Sequence, residues 1–415
     1  MPAVLEAIPE TTQRKAVKPH VLYLTHRVPF PPDKGDRIRN YHMLRQLSAR
    51  AEVDLIALAD EPVPPVTYAA LAKHCRRVEI VPVHGVLRKL RAAWSAATFR
   101  SLTEGAFHEP QVDDAANAMA ATADYGAVLV SCSGLAPYLR RGALAKLPGF
   151  VDLVDVDSQK WFDFAAVQRG PKKWLYQFEG RRLRKLERNL PTWAEAVSIV
   201  SPAETRVYDS FAGEGSGVTA MNGVDLEYFA PVPLDRPVDL ACVFVGALDY
   251  LPNVDAACWF ADEVWPGIRE RYPTAEFRIV GRKPAARVQS LHGKPGVVVV
   301  GQVPDVRPHV AAAAVTVVPM RLSRGLQNKV LEAMAMAKPV IAAPPALAAL
   351  AVEPGRDLLQ AEMVEEWHAG VSTLFDFPER RRDLSIAARR FVEEHHHWDR
   401  CLRPILDRIV PTDGL

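Results

Sequence analysis

The residues with the clearest capacity for chemistry lie between Val315 and Ala343. Lys329 and Glu332 are separated by three positions in a segment of strong helix formers, so they are expected on one face of a helix. The helix follows an apolar run and a basic loop containing Gly325, an arrangement that presents free amide groups to phosphate. A cation suits phosphate and a carboxylate suits ribose hydroxyls. The stretch therefore predicts a site for a nucleoside diphosphate.

An apolar strand, a loop, a helix over about Gln327–Ala337 and a second apolar strand form one unit of a doubly wound parallel sheet. This unit resembles the donor-binding segment of the family 4 glycosyltransferases, which have the GT-B fold. In that family a glutamate directly before a small-residue run binds the donor ribose, and here Glu332 precedes Ala333, Met334 and Ala335. The resemblance therefore assigns Glu332 to the ribose.

The same family usually has a second glutamate eight positions earlier, followed by Gly-x-Gly. This sequence has Arg324 at that position, keeps Gly325 and replaces the second glycine with Gln327. The run Asn328-Lys329 before Val-Leu-Glu-Ala is similar to sugar transferases associated with exosortase (PEP-CTERM) systems. By this resemblance Gly325, Asn328 and Lys329 contact the donor.

Size and composition indicate an ordinary globular protein with two domains. The chain has 415 residues, 49% hydrophobic and 24% charged, with a net charge of +2. Its five cysteines form no close pair, which excludes a zinc ribbon and favours a reducing compartment. No apolar run is long enough for a transmembrane helix, and residues 1–19 are expected to form a flexible tail.

The first predicted strand, Val21–Leu24, leads into a proline-rich loop that contains Gly35. Three cations, Arg27, Lys34 and Arg37, surround this glycine. The family resemblance implies that the loop and Gly35 face the diphosphate and the transferred sugar. The alternative is a surface loop stiffened by its prolines.

Asp155 and Asp157 form a DxD pattern after another predicted strand. Such a pair binds a divalent cation in GT-A glycosyltransferases, but a second nucleotide-binding unit in the other half disfavours that interpretation. By resemblance, Asp155, Asp157 and Ser158 orient the acceptor, and the two aspartates act as catalytic residues. The alternative is that the aspartates only cap the next helix.

A basic segment with apolar and aromatic residues follows the predicted strand at Val78–Val83. Its cations are Arg88, Lys89, Arg91 and Arg100, and its large apolar residues are Leu87, Leu90, Trp94 and Phe99. Such a helix suits an anionic membrane surface. It could equally pack on the sheet while its arginines reach the solvent. The basic stretch Arg169–Asn189 is interpreted as an amphipathic helix with a solvated face, and the alternative is a surface that faces a membrane or a lipid diphosphate.

The second half contributes the remaining candidates. By resemblance, Gly246 lies against the diphosphate or sugar, and backbone groups near Val303 contact the base. Arg282, at the end of the strand Glu276–Val280, is the first cation for the diphosphate, and Lys329 is the second. Both are expected to act catalytically by stabilising the departing phosphate. Three consecutive histidines, His395–His397, point in different directions on a helix, which disfavours a metal site.

These features predict an α/β protein of the GT-B type, with two facing Rossmann-like domains. The predicted divisions are a tail at 1–19, an acceptor domain at 20–222, a linker at 223–239, a donor domain at 240–378 and helices crossing back at 379–415. The predicted activity is transfer of a sugar, with retention, from a nucleotide-diphosphate sugar to a glycan or lipid-linked acceptor in exopolysaccharide synthesis. No cofactor and no nucleic-acid partner are expected, and the location is cytoplasmic, on the inner membrane face if docked. Alternatives are a non-catalytic scaffold, or an epimerase or phosphorylase of the same fold.

Overall fold

The structure is a computed structural model that describes residues 18–233, 238–322 and 325–411. Most of the predicted tail and Arg324 lie outside the described residues. No helix in the described part of the chain is long and apolar enough to cross a membrane.

The first half folds around a parallel sheet in the order β3-β2-β1-β4-β5-β6-β7. Its central strands are continuous apolar runs because helices cover both faces of the sheet. The strands are β1 His20–Thr25, β2 Glu52–Ala59, β3 Arg77–Pro82, β4 Tyr125–Ser131, β5 Gly149–Val154, β6 Ala196–Ile199 and β7 Gly217–Thr219. The helices are α1 Gly35–Arg50, α2 Pro65–Leu71, α3 Gly85–Ala97, α4 Leu102–Ala106, α5 Pro110–Ala120, α6 Asp157–Ala166, α7 Pro171–Asn189 and α8 Pro202–Ala212.

The second half contains its own parallel sheet, in the order β10-β9-β8-β11-β12-β13. The strands are β8 Asp239–Val245, β9 Glu276–Val280, β10 Val297–Gly301, β11 Ala313–Val318, β12 Val340–Ala342 and β13 Leu359–Gln360. The helices are α9 Leu251–Trp259, α10 Trp265–Arg271, α11 Ala286–Gln289, α12 Arg307–Ala312, α13 Asn328–Ala335, α14 Pro344–Leu347, α15 Val364–Asp376 and α16 Pro378–His395, and the last helix is α17 Trp398–Ile409. The helix predicted at about Gln327–Ala337 is α13.

The chain crosses between the two halves twice. The last two helices belong to different cores: α16 packs in the second domain through Leu384 and Phe391, and α17 packs in the first through Leu402 and Ile405. The return crossing therefore lies between α16 and α17. This differs from the prediction, which placed all of 379–415 with the helices that cross back, because basic composition does not reveal which core a helix joins.

The outgoing crossing is held by a fully buried ion pair. The Arg39 guanidinium on α1 donates to both carboxylate oxygens of Asp152 on β5, at 2.7 and 2.6 Å. Its remaining donor group reaches the Ala220 carbonyl oxygen at 2.8 Å and Asn222 Oδ1 at 2.9 Å. Asn222 Nδ2 in turn donates to Asn328 Oδ1, at the start of α13, over 3.2 Å. The buried charge thus fixes the first domain, the linker and the start of α13 together.

Candidate functional site

The carboxyl edges of the two sheets face each other across a cleft. Among the described residues, Arg282 and Gly325 make contacts across it. The Arg282 guanidinium after β9 donates to the Asp33 carboxylate at the start of the first domain, at 2.9 Å. Gly325 lies so close to Asp155 that a Cβ atom on the glycine would be 2.5 Å from Asp155 Oδ1. Candidate residues from both halves of the sequence therefore meet in one crevice.

Lys329 lies in the first turn of α13 and points into the second domain. Its ammonium donates to Asn253 Oδ1 at 2.6 Å and lies 5.3 Å from the centre of the Phe244 ring. Burial lowers the pKa of Lys329 to about 8, against a smaller opposing effect of the Glu332 charge. The cation is thus held in a largely apolar setting, where its attraction for an anion is weakly screened.

Glu332 lines a small pocket on the same face of α13. The pocket wall is otherwise mostly apolar and includes Val245, Val310 and the hydroxyl-bearing Thr316. Burial raises the pKa of Glu332 to about 7, and Lys329 opposes that shift. Among the described residues, no donor is hydrogen-bonded to this carboxylate, and the buried Thr316 hydroxyl also has no hydrogen-bond partner. The pocket therefore offers polar groups that a ligand with hydroxyls could satisfy.

The loop after β8 is shaped by two glycines. Gly246 packs against the side chain of Asn253, and a Cβ atom on Gly281 would lie within the backbone of Gly246. Gly281 also has φ of +157°, where a side chain would be strained. Asn253 Nδ2 donates to the Ala247 carbonyl at 2.9 Å, so this asparagine connects the Gly246 loop to Lys329. Asn253 was not predicted as a site residue.

The cations around Gly35 do not stand free. Arg27 pairs with Asp36 at 2.8 Å, Lys34 pairs with Glu61 at 3.4 Å, and Arg37 pairs with Asp33 at 3.2 Å. In this structure a carboxylate partner neutralises each of the three cations. The expectation that this loop and Gly35 face the diphosphate stays a prediction. The cations lie close together in the sequence and could be recognised there. Their pairing with Glu61 and Asp33 is visible only in the structure.

Gly35 itself begins α1, and no atom lies within 4 Å of where a Cβ atom on it would be. The first turn of this 16-residue helix is therefore open in front of the glycine, at the carboxyl edge of the first sheet. Free amides at such a helix start attract anionic groups.

Asp155 is turned toward the cleft by an irregular strand end. The pairing of β5 with β6 shifts between Asp152 and Val154, and Val154 has φ of +67°. A β-branched residue in this region is strained, and such strain persists where the surroundings impose it. Among the described residues, no group of three His, Cys, Asp or Glu side chains is arranged to bind a metal ion.

Asp157 and Ser158 are tied into the first domain. The Ser133 hydroxyl donates to Asp157 Oδ2 at 2.5 Å, and the fully buried Ser158 donates through its amide to Glu187 at 3.0 Å. Burial raises the pKa of Glu187 to about 8, and the Asp157 charge adds to that effect. Ser158 is thus a structural residue at the start of α6, and its predicted contact with an acceptor is wrong because no face of it is accessible.

Val303 lies after β10 on the side of the Glu332 pocket. It packs against the core cluster that contains Val310, which also lines that pocket. The following Asp305 accepts hydrogen bonds from the Arg307 guanidinium at 2.7 and 3.0 Å, which fixes the loop. The backbone around Val303 is therefore a rigid edge beside the predicted ribose position.

One polar cluster was not predicted. His26, directly after β1, bonds through Nε2 to Asp36 Oδ2 at 3.2 Å and through Nδ1 to the Ser131 hydroxyl at 3.1 Å. Burial alone lowers the pKa of His26, but the neighbouring Cys132 and the Asp36 carboxylate outweigh it and raise the pKa to about 10. The Asp36 carboxylate thus favours the cationic form of the imidazole beside the start of α1. A histidine immediately after an apolar run was the available sequence signal.

Solved structures with the same architecture establish the fold class. Sucrose-phosphate synthase from Thermosynechococcus elongatus aligns over 94% of this chain and 97% of its own, with a TM-score of 0.66 and 18% identity. HepE from Anabaena, in complex with UDP-glucose, aligns over 94% and 99%, with a TM-score of 0.65 and 15% identity. TarM from S. aureus, whose complex contains UDP and alpha-GlcNAc-glycerol, aligns over 95% and 100%, with a TM-score of 0.66 and 9% identity. The chain has the GT-B fold, as predicted.

The second domain also matches a sequence family. Residues 239–376, which contain Arg282, Lys329 and Glu332, match the model of the family Glycosyl transferases group 1. No curated protein sequence is significantly similar to the chain. The family match covers the domain that holds the pocket lined by Lys329 and Glu332.

Proposed function

We propose that this protein is a glycosyltransferase that moves a sugar from a nucleotide-diphosphate sugar to a hydroxyl of a glycan or lipid-linked acceptor. The observation that carries the proposal is the pair Lys329 and Glu332, which opens on a pocket in the domain that matches the glycosyltransferase family. An unpaired carboxylate beside a buried cation suits a ribose next to a diphosphate. Neighbours of the same fold bind UDP and UDP-glucose, which supports this class of donor.

The reaction would proceed at the facing sheet edges. The bond between the anomeric carbon and the β-phosphate oxygen breaks, and the acceptor hydroxyl oxygen forms the new bond. Arg282, Lys329 and the free amides before α13 stabilise the charge that develops on the departing phosphate. Retention places the acceptor hydroxyl on the face of the leaving phosphate, so that a phosphate oxygen takes the hydroxyl proton. Asp155, across from Gly325, orients the acceptor.

The same proposal assigns Arg282 a change of partner. In this structure its guanidinium is paired with Asp33 across the cleft at 2.9 Å. Both groups are partly exposed, so this pair contributes little stability and can be exchanged for a stronger contact with a diphosphate. Asp33 would then hold Arg282 in place while the cleft is empty.

The pathway is proposed from the resemblance of the Asn328–Ala335 segment to sugar transferases of exosortase systems. Synthesis of an exopolysaccharide in the cytoplasm is the process that this resemblance implies. The complex of TarM with alpha-GlcNAc-glycerol supports an acceptor of the glycan type for this fold.

A calorimetric and thermal-shift screen tests the donor assignment. Wild-type protein is titrated with UDP, GDP and ADP, then with their sugar conjugates, and the slow hydrolysis of each donor is followed. We expect one nucleotide to bind and its sugar conjugate to be hydrolysed. Lys329→Ala should lose most of that affinity, whereas Lys283→Ala, an exposed cation near Arg282, is the matched control.

The outcomes separate the alternatives. Binding without hydrolysis or transfer to any acceptor would favour a non-catalytic scaffold of the same fold. Release of the free nucleotide and a sugar phosphate in the presence of phosphate would identify a phosphorylase. No binding of any nucleotide by the wild-type protein would overturn the proposal.

A further inference from the structure

Helix α3 presents its apolar side to the solvent. Val86, Leu90 and Trp94 lie along one stripe of the helix and are 75%, 61% and 74% exposed. Of the two predicted arrangements for this segment, packing on the sheet with outward arginines is therefore wrong. A helix of a globular domain normally buries such a stripe. An exposed apolar stripe therefore indicates a surface that is covered by a lipid bilayer or by another molecule.

The inward side of α3 carries the polar contacts instead. Arg91 pairs with the buried carboxylate of Glu109, and the Arg88 guanidinium lies 4.9 Å from the centre of the Phe107 ring. The buried Ser95 hydroxyl donates to the Ser101 carbonyl at 2.7 Å. These contacts fix the orientation of the helix, so the outward apolar stripe is a stable feature of the fold.

A second exposed apolar group lies at the turn between α6 and α7. Val167 and Trp174 are 74% and 71% exposed, and Phe164 and Leu175 nearby are also exposed. Gly170 in the turn has φ of +64° with open space around it. The turn therefore projects large apolar side chains from the first domain.

The two groups belong to one surface. Phe99, which follows α3 and is 72% exposed, lies 5.4 Å from the Arg182 guanidinium on α7, and this guanidinium also lies 5.2 Å from the Phe178 ring. The buried Glu179 on α7 accepts hydrogen bonds from the amides of Leu102 and Thr103 at 2.6 and 2.9 Å, which secures α4 to α7. The α3–α7 face, defined by Val86, Leu90, Trp94, Phe99, Val167 and Trp174, is thus continuous and rigid.

Among charged side chains, the two sequence segments that form this face carry only the positively charged Lys and Arg. The sequence from 83 to 103 contains four Lys and Arg residues and no Asp or Glu, and that from 164 to 178 contains three Lys and Arg residues and no Asp or Glu. Lys89, Arg100, Lys172 and Lys173 are exposed beside the apolar side chains. Of the acidic groups near the face, Glu104 and Glu179 accept hydrogen bonds from backbone amides at the start of α4, and Glu109 pairs with Arg91 on the inward side of α3. Tryptophans flanked by cations match a bilayer interface with anionic head groups.

We propose that the α3–α7 face docks on an anionic lipid bilayer. The apolar side chains enter the head-group region while the lysines and arginines contact lipid phosphates. Helix α6 begins at Asp157, close to the cleft, and its ten residues span about 15 Å to the docking face near Val167. The docking itself does not depend on the proposed function.

Vesicle binding tests the docking. Protein is sedimented with vesicles of phosphatidylcholine alone and with vesicles that also contain phosphatidylglycerol, at low and high salt. We expect binding to the anionic vesicles only, with an affinity that falls as salt is added. Leu90→Ser combined with Trp94→Ser and Trp174→Ser should weaken the partition coefficient at least about tenfold.

A charge variant and a control complete the design. Lys89→Glu with Lys172→Glu should weaken binding to anionic vesicles by roughly fivefold or more per residue. The matched control is Ile386→Ser with Phe377→Ser, which removes apolar side chains that are 62% and 52% exposed in the second domain. The control should bind the vesicles as the wild type does, and the thermal melting of every variant reports whether it is folded.

Three results would overturn the proposal. One is wild-type protein that binds neither kind of vesicle. Another is a control variant that loses as much binding as the apolar variant. The last is a wild-type dimer in light scattering that becomes a monomer in the apolar variant and does not bind vesicles, because the face would then join two copies of the chain.

Discussion

Replacement of Glu332 by glutamine should separate stability from ligand binding. The carboxylate lies in the pocket beside Lys329, and burial raises its pKa to about 7 from an ordinary value of 4.5. The unfolded carboxyl ionises near its ordinary value of 4.5, whereas the folded one ionises only near 7. The carboxylate therefore lowers the stability of the folded state progressively as the pH rises from about 4.5 to about 7, and the full loss is present above 7. Glutamine keeps the shape of the glutamate side chain but carries no charge. The substitution should therefore leave the folded state as stable as the wild type, or more stable, at pH 8.

The substitution should change the stability of the fold and the affinity for nucleotide by different amounts. The shift in pKa, which already includes the attraction of the neighbouring Lys329, sets an upper bound of about 3 kcal/mol for the gain in stability at pH 8. Hydrogen bonds to a charged group contribute about 1.5–3 kcal/mol each, so Glu332→Gln should weaken nucleotide binding roughly tenfold to hundredfold. A gain in stability together with a loss of affinity is expected when a residue is retained for binding although it destabilises the fold.

The assay pairs thermal melting with calorimetric titration of UDP, GDP and ADP at pH 8. Glu365→Gln, which changes an exposed carboxylate on α15, is the matched control and should alter neither quantity. A fall of several degrees in the melting temperature of Glu332→Gln, together with unchanged nucleotide affinity, would refute the reasoning. That result would make Glu332 a structural residue of α13.

Three further predictions concern the same crevice and its support. Nucleotide affinity should fall as the pH rises through about 8, because Lys329 loses its charge there, and Lys329→Arg should remove that fall in a calorimetric pH series. Asp33→Asn should free Arg282 and strengthen nucleotide binding by a few-fold in the same titration; weaker binding would show that Asp33 helps the ligand instead. Asp152→Ala leaves the buried Arg39 charge without its partner and should lower the free energy of unfolding by about 3–5 kcal/mol in urea titrations, whereas a loss below 1 kcal/mol would contradict a dry ion pair.

The strands could be predicted because the burial of each strand is reflected in the apolar residues of its own local sequence. The apolar run Val315–Val318 lies within β11, and the strand predicted at Glu276–Val280 is β9. Parallel strands covered on both faces require continuous apolar residues, so the sequence carries this signal without any knowledge of the tertiary fold.

Charge pairing was not predictable in the same way. Arg282 and Asp33 are 249 positions apart, and no periodicity connects them. Helix α3 shows a related limit: its pattern defines an apolar stripe but not whether protein or solvent lies against it. Only the positions of Glu109 and Phe107, which bind its arginines, determine that the stripe faces outward.

The two crossings between the domains lie side by side. Val224 in the outgoing segment donates its amide to the His396 carbonyl in the returning segment at 2.8 Å, and Gly223 leaves no room for a side chain against Trp398. Because the two crossing segments are joined side by side, they should act together as a hinge. Such a hinge permits rotation of one domain about a single axis and resists twisting. The second domain should therefore open and close about a single axis, so that Gly325 returns to the same place opposite Asp155 at each closure.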